Sequence, residues 1–201
     1  MTHAAALSSS TADVTSTDAA DRLRARSRAV GTLVFTAFGG LWAAGGAMLS
    51  SAPAWAWIVI ATLVLALGVR AVRRLRAHPA VTEALPADIA ARQRRAGRLF
   101  LWTNVAEGVG ILLAVNLVVL LGHPQWQTAA VMAVVGLHFL PLAVGFGYRP
   151  HLVTGVAMTA WALAYPALFA AGGLAPAGAF GAAAILFASA AWTLRSVGRA
   201  R

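Results

Sequence analysis

Two groups able to exchange protons stand inside apolar runs of this chain, where little water is at hand to help them ionise. Glu107 falls within 99–121 and is the only one of the six acidic residues inside a long apolar stretch; His138 falls within 126–147. Nine residues separate Glu107 from Arg98, and eleven separate His138 from Arg149. At helical rise these intervals are about 13 Å and about 16 Å, so both groups should sit at similar depth near a bilayer midplane. A carboxyl group there costs about 2.5–3.5 kcal/mol on insertion scales, which demands a compensating partner. Thr103 and Asn104 precede Glu107 by four and three residues, which places all three on one helical face.

Desolvation favours a neutral carboxylic acid and a neutral imidazole, whereas mutual contact favours the charged pair. A pair balanced between these two tendencies can take up or release a proton near neutral pH, as a relay requires. The same two residues would also serve as plain interhelical glue, at an average of about 0.6 kcal/mol per hydrogen bond in a membrane. Pro141 cannot donate to the carbonyl of Leu137, which leaves an acceptor free beside His138; Pro166 does the same for Ala162. Trp42 and Trp161 fall at mid-span, away from an interfacial aromatic belt, and with Tyr165 are candidates to line a cavity. Asn116, nine residues beyond Glu107, belongs to the opposite face.

Six apolar segments must position these groups: about 30–49, 54–72, 99–121, 126–147, 152–171 and 174–194. Each is long enough for a hydrocarbon core of about 30 Å. Apolar residues make up 60% of the 201 positions and charged residues 11%, against about a quarter charged in soluble domains. The reading is an all-α, six-span transmembrane bundle over 28–195, with a basic loop at 73–98. A disordered polar and basic tail, 1–27, precedes it, and a basic tail, 196–201, follows. Ser50-Ser51-Ala52-Pro53, Gly122-His123-Pro124, Tyr148-Arg149-Pro150 and Gly172-Gly173 supply the breaks. Within the basic loop, the segment from Pro86 reads as a short helix lying along the interface and running into span 3. Span 1 places Gly39, Ala43 and Ala47 in small-xxx-small spacing. Span 6 offers Gly178, Gly181, Ala182 and Ser189, and either set would serve helix packing or a homo-oligomer contact.

All 16 cationic side chains are arginines, and a six-span topology gathers every one on a single side. The positive-inside rule then puts both termini in the cytoplasm of a cell (inner or plasma) membrane. No basic n-region precedes an apolar core near Met1, so a cleavable signal peptide is not expected. The net charge of +10 is read as attraction to anionic lipid headgroups rather than to nucleic acid. With no cysteine, thiol chemistry and Cys-ligated metals are excluded. No cofactor or metal is expected: His138 is the one histidine at depth, with His123 outside and His78 and His151 on the cytoplasmic side. P-loop, zincin and nucleophile-elbow motifs are absent, and spans 1–3 and 4–6 share no evident repeat.

The pattern Trp102-Thr-Asn-Val-Ala-Glu107, with Gly136-Leu-His138-Phe-Leu-Pro141-Leu-Ala in the next span, resembles small uncharacterised bacterial multi-pass membrane proteins. The resemblance covers spans 3 and 4 and implies no activity. Three functions fit the residues. One is a permease for a small solute or ion with a proton-responsive site at Glu107 and His138, supported by Thr103 and Asn104. Another is an accessory or scaffold protein in which that pair is glue. The last is a membrane enzyme using the pair as acid and base, which lacks a nucleophile, metal or phosphate cradle.

Overall fold

The computed structural model describes the backbone of residues 2–79, 86–169 and 176–196, with side chains from 20 to 195 within those ranges. It is all-α. Six helices follow in order: α1 Thr2–Leu49, α2 Ala54–Ala77, α3 Ala87–Leu120, α4 Gln127–Phe146, α5 Arg149–Phe169 and α6 Pro176–Ser196, with a 3-10 turn at Pro124–Trp126. Each contains a stretch long and apolar enough to cross a bilayer, as a multi-pass membrane protein requires. In hydrocarbon a backbone must satisfy its own hydrogen bonds, and these Ala/Leu/Val-rich runs do so as helices.

Several boundaries differ from the sequence reading. The segment 1–27, expected as a disordered tail, is helical from Thr2 and continuous with span 1. The segment after Pro86 is helical and runs into span 3, as expected. It is the first turns of one 34-residue helix, α3, opened by Pro86 and by Asp88, whose charge suits a helix N-terminus. Arg73, Arg74 and Arg76 likewise extend α2 past the expected end at 72. The Asp88–Arg92 and Asp21–Arg24 pairs are largely exposed and add little stability. The expected connection at Gly172-Gly173, the ends of spans 5 and 6 around it, and Arg199 and Arg201 lie outside the described residues.

Three helix ends close in the same way, with one residue in left-handed backbone and the next amide reaching back into the last turn. Ser51 (φ 50°), Gly122 (φ 77°) and Gly147 (φ 58°) are those residues. The matching bonds run from Ala52 to Ala47, His123 to Val118 and Tyr148 to Ala143, at 2.9, 2.8 and 3.1 Å. This motif occupies carbonyls that a helix terminus otherwise leaves bare. Pro53, Pro124 and Pro150 follow, each unable to continue the preceding helix.

The helices pack as a curled row in the order α2, α1, α6, α5, α4, α3. Phe35 of α1 closes the curl against Phe139 of α4, ring centroids 5.5 Å apart. The core holds Phe35, Met132, Phe139, Met158, Tyr165 and Leu186 among its buried side chains. Almost none of α2 or α3 is buried, since each is an edge helix with one principal neighbour. Lipid supplies no hydrophobic drive between helices, so small residues set how closely they approach. A Cβ on Gly39 or Gly46 of α1 would press on Phe187 or Phe180 of α6. One on Gly136 of α4 would lie 2.7 Å from the Thr159 backbone nitrogen of α5.

Candidate functional site

The α3–α4 pair is antiparallel, and its register can be followed along its length. Gly110 faces Val134, Glu107 faces His138, and Leu99 meets Gly145. Loop length explains it: the short connection after Leu121 leaves α4 no choice but to return alongside α3. The structure therefore joins the two groups that the sequence placed at equal depth. A Glu107 carboxylate oxygen, Oε2, lies 2.8 Å from His138 Nδ1. The imidazole side chain is 9% exposed and the carboxylate 20%, so lipid or headgroup water reaches the acid more readily than the base. The short contact is not an in-line hydrogen bond. Among the described residues neither Nδ1 nor Nε2 of His138 has an aligned partner, although both atoms are buried. Nε2, on the far side of the ring from the carboxylate, is left over.

Thr103 and Asn104 share the helical face of Glu107 but turn their polar atoms onto their own helix. Thr103 donates to the carbonyl of Leu99 and Asn104 to that of Phe100, each at 2.7 Å. Asn116 does the same to Leu112. A polar side chain bonded four residues back needs no partner across the interface. The structure thus places Thr103 and Asn104 near Glu107 without bonding them to it.

Of the candidate cavity-lining aromatics, Trp42 lines a cleft of about 210 Å³ with Leu41, Gly45, Leu49, Thr128 and Ala179. Thr128 precedes His138 by ten residues, about 15 Å along α4, so this cleft belongs to the other end of the helix. Trp161 and Tyr165 do not line that cleft. Trp161 donates from Nε1 to the carbonyl of Gly178 at 3.2 Å, and Tyr165 is buried in the core beside it with ring centroids 6.1 Å apart. They clamp α5 to α6.

His151 is the residue that sequence reasoning set aside, at the edge of the membrane and away from the site. In the structure it lies within one turn of the start of α5 and is enclosed by rings. Tyr148, Phe35, Phe139 and Phe146 stand with centroids 5.0, 5.7, 5.8 and 6.1 Å from its own. Phe139 stacks on His151 at 21° and on His138 at 19°, so the two imidazoles share one phenyl neighbour. Its Nδ1 is buried without a hydrogen-bond partner among the described residues, as is the Thr159 hydroxyl near Gly136. The signal was spacing across the tight turn: thirteen residues separate His138 from His151, and the α4–α5 hairpin folds that interval back on itself.

Next to it, α5 and α6 are joined by hydroxyls. Thr154 and Ser189 oxygens are 2.6 Å apart, and Tyr148 donates to Thr193 at 3.1 Å. Thr193 donates to the carbonyl of Ser189; of Thr154 and Ser189, one donates to the other and the second to a carbonyl on its own helix. This ladder is internally satisfied and serves packing.

Among the described residues no group of three His, Asp or Glu side chains is placed to hold a metal. No family model, no curated protein and no solved structure matches the chain.

Proposed function

We propose that the protein is a multi-pass permease of a cell (inner or plasma) membrane that moves a small solute or ion, with Glu107 and His138 as its proton-responsive site. The observation that carries this reading is the 2.8 Å contact between a half-buried carboxylate and a buried imidazole within apolar helices. Ionisable groups at membrane depth are costly, and proton relays are one of the few roles that need them. The pair can hold one proton on either member, and gain or lose another as its surroundings change. The α3 helix suits such a site, because it packs chiefly on α4 and can shift without disturbing the core.

In this reading both termini and the arginine-bearing ends of the helices face the cytoplasm, where they meet anionic headgroups. The small-residue faces leave a homo-oligomer open to the edge helices. A second reading, an accessory or scaffold protein with the pair as glue, draws support from Thr103 and Asn104, which turn away to their own helix.

Reconstitution separates the two. With a pH-sensitive dye inside proteoliposomes, Glu107→Gln should keep the folded bundle and abolish pH-driven proton uptake. If Glu107→Gln and Glu107→Ala both leave flux at the wild-type level while Ala lowers thermal stability, the permease reading fails and glue remains.

A further inference from the structure

A proton bound for the pair must first cross the apolar shell around it, and among the described residues the histidine between His138 and the arginine-bearing end is His151. His151 begins α5 at that end, where α1, α3 and α5 start and α2, α4 and α6 finish. We propose that His151 is the entry group through which protons reach Glu107 and His138, and that Phe139 is the barrier between the two imidazoles. The proposal rests on the proton-responsive reading of the pair and names its access route.

Four observations converge on it. His138 is nine-tenths buried, and its Nε2 has no hydrogen-bond partner among the described residues. The Nδ1 of His151 is in the same condition. Both rings stack against Phe139, at centroid distances of 4.9 and 5.8 Å. Burial, and after it the neighbouring His138, hold the His151 imidazole below its ordinary range, at about 4. Two orphaned imidazole nitrogens beside one aromatic ring are hard to explain as packing, because buried nitrogens without partners are destabilising.

The surroundings of His151 suit a group that carries charge briefly. Phe139 offers it a ring face, which attracts an imidazolium, and Phe35, Phe146 and Tyr148 stand around it. The charged and titratable groups around it oppose a lasting charge. From α1, Arg28 sits over the Tyr148 ring at 5.7 Å. From α4 comes His138, with Glu107 of α3 behind it. Tyr148 and the exposed Arg149 adjoin His151 in sequence, and α6 contributes the Thr193 hydroxyl through Tyr148. A proton gained at His151 is thus pushed onward, toward the one carboxylate nearby.

The steps balance as proton transfers. His151 takes a proton from water at the arginine-bearing end and becomes an imidazolium. When Phe139 swings aside and water bridges the gap, that proton passes to Nε2 of His138. His138 gives up its Nδ1 proton to Oε2 of Glu107. The carboxylate becomes a carboxylic acid, His151 returns to neutral, and His138 ends as the other neutral tautomer.

Deuterium exchange at the imidazole C2 position, read by mass spectrometry on the full chain in liposomes, tests this residue by residue. The exchange requires both protonation and water access. His151→Phe, which keeps an aromatic ring in the cage, should slow exchange at His138 by about tenfold or more, and Phe139→Ala should speed it by a similar factor. Glu107→Gln should leave exchange at His151 unchanged, because His151 lies upstream. Exchange at His138 that stays within about twofold of wild type in both His151→Phe and Phe139→Ala would overturn the proposal. Should His151→Phe fail to fold, Phe139→Ala alone decides. Loss of dye-reported flux reads the pair and exchange at His138 reads the route, so failure of one is distinguishable from failure of the other.

Discussion

Glu107 and His138 should behave as one unit, and a double-mutant cycle measures whether they do. At the observed 2.8 Å, opposite unit charges attract by about 6 kcal/mol at an effective dielectric of 20. Removing both ions from water costs several kcal/mol each, and the Nδ1 contact lacks in-line geometry. The net coupling should therefore come down to about 1 kcal/mol, between the average near 0.6 and the maximum near 1.7 found for polar contacts between membrane helices. The cycle uses Glu107→Gln, His138→Asn and the double variant, unfolded from mixed micelles by denaturant. A coupling below about 0.3 kcal/mol would mean that the contact does no energetic work, and the argument that the two groups act as one unit would fail.

Two further substitutions test the packing that holds the site. Gly136→Ala should cost about 1–3 kcal/mol, because the new methyl meets the Thr159 backbone nitrogen at 2.7 Å and the Gly155 carbonyl at 3.0 Å, neither of which can move alone. Gly108→Ala, beside Glu107 but with nothing within 4 Å, should be neutral or stabilising by up to about 1 kcal/mol through helix propensity. Thermal unfolding of both variants in one detergent checks the contrast, and equal losses would contradict the packing described. Ser51→Gly should raise the melting temperature, since a left-handed residue other than glycine bears a steric cost of about 1–2 kcal/mol that this change removes. A lowered melting temperature would show that the hydroxyl matters more than the backbone conformation.

The helices and the depth of the pair were legible in the sequence because both follow from counting. Glu107 from Arg98 and His138 from Arg149 are intervals along regular helices, and a short loop forces the two helices side by side. The turn residues Ser51 and Gly122 were legible for a similar reason, as local backbone chemistry. The helical character of 1–27 was not, because its Ser/Thr/Ala/Asp composition carries no apolar periodicity. Nor was the fate of Thr103 and Asn104. A helical face says which residues lie together, whereas the rotamer decides whether a hydroxyl or amide points to a neighbour or back to its own turn. His151 escaped for a third reason. Its depth was judged along α5 alone, while its burial comes from rings on α1, α4 and the turn before it.

How a polar group is satisfied separates filler from candidate function in this bundle. Thr32, Thr36, Thr62, Thr103 and Thr193 each donate to the carbonyl four residues earlier, as do Asn104, Asn116 and one of the Thr154–Ser189 pair. Such groups enter an apolar helix at little cost and say nothing of function. A carboxylate has no proton to give its own carbonyls, and an imidazole is too rigid to turn back on its own helix. Glu107, His138 and His151 therefore had to be answered from other helices. For Glu107 and His138 the answer is each other. For His151 it is four aromatic rings and no hydrogen bond at Nδ1 among the described residues. A fold selected for stability alone would favour an apolar side chain at 151, which would fill the same cage with no polar atom to bury. That an ionisable ring stands there, one phenyl away from the buried pair, argues for proton traffic over packing.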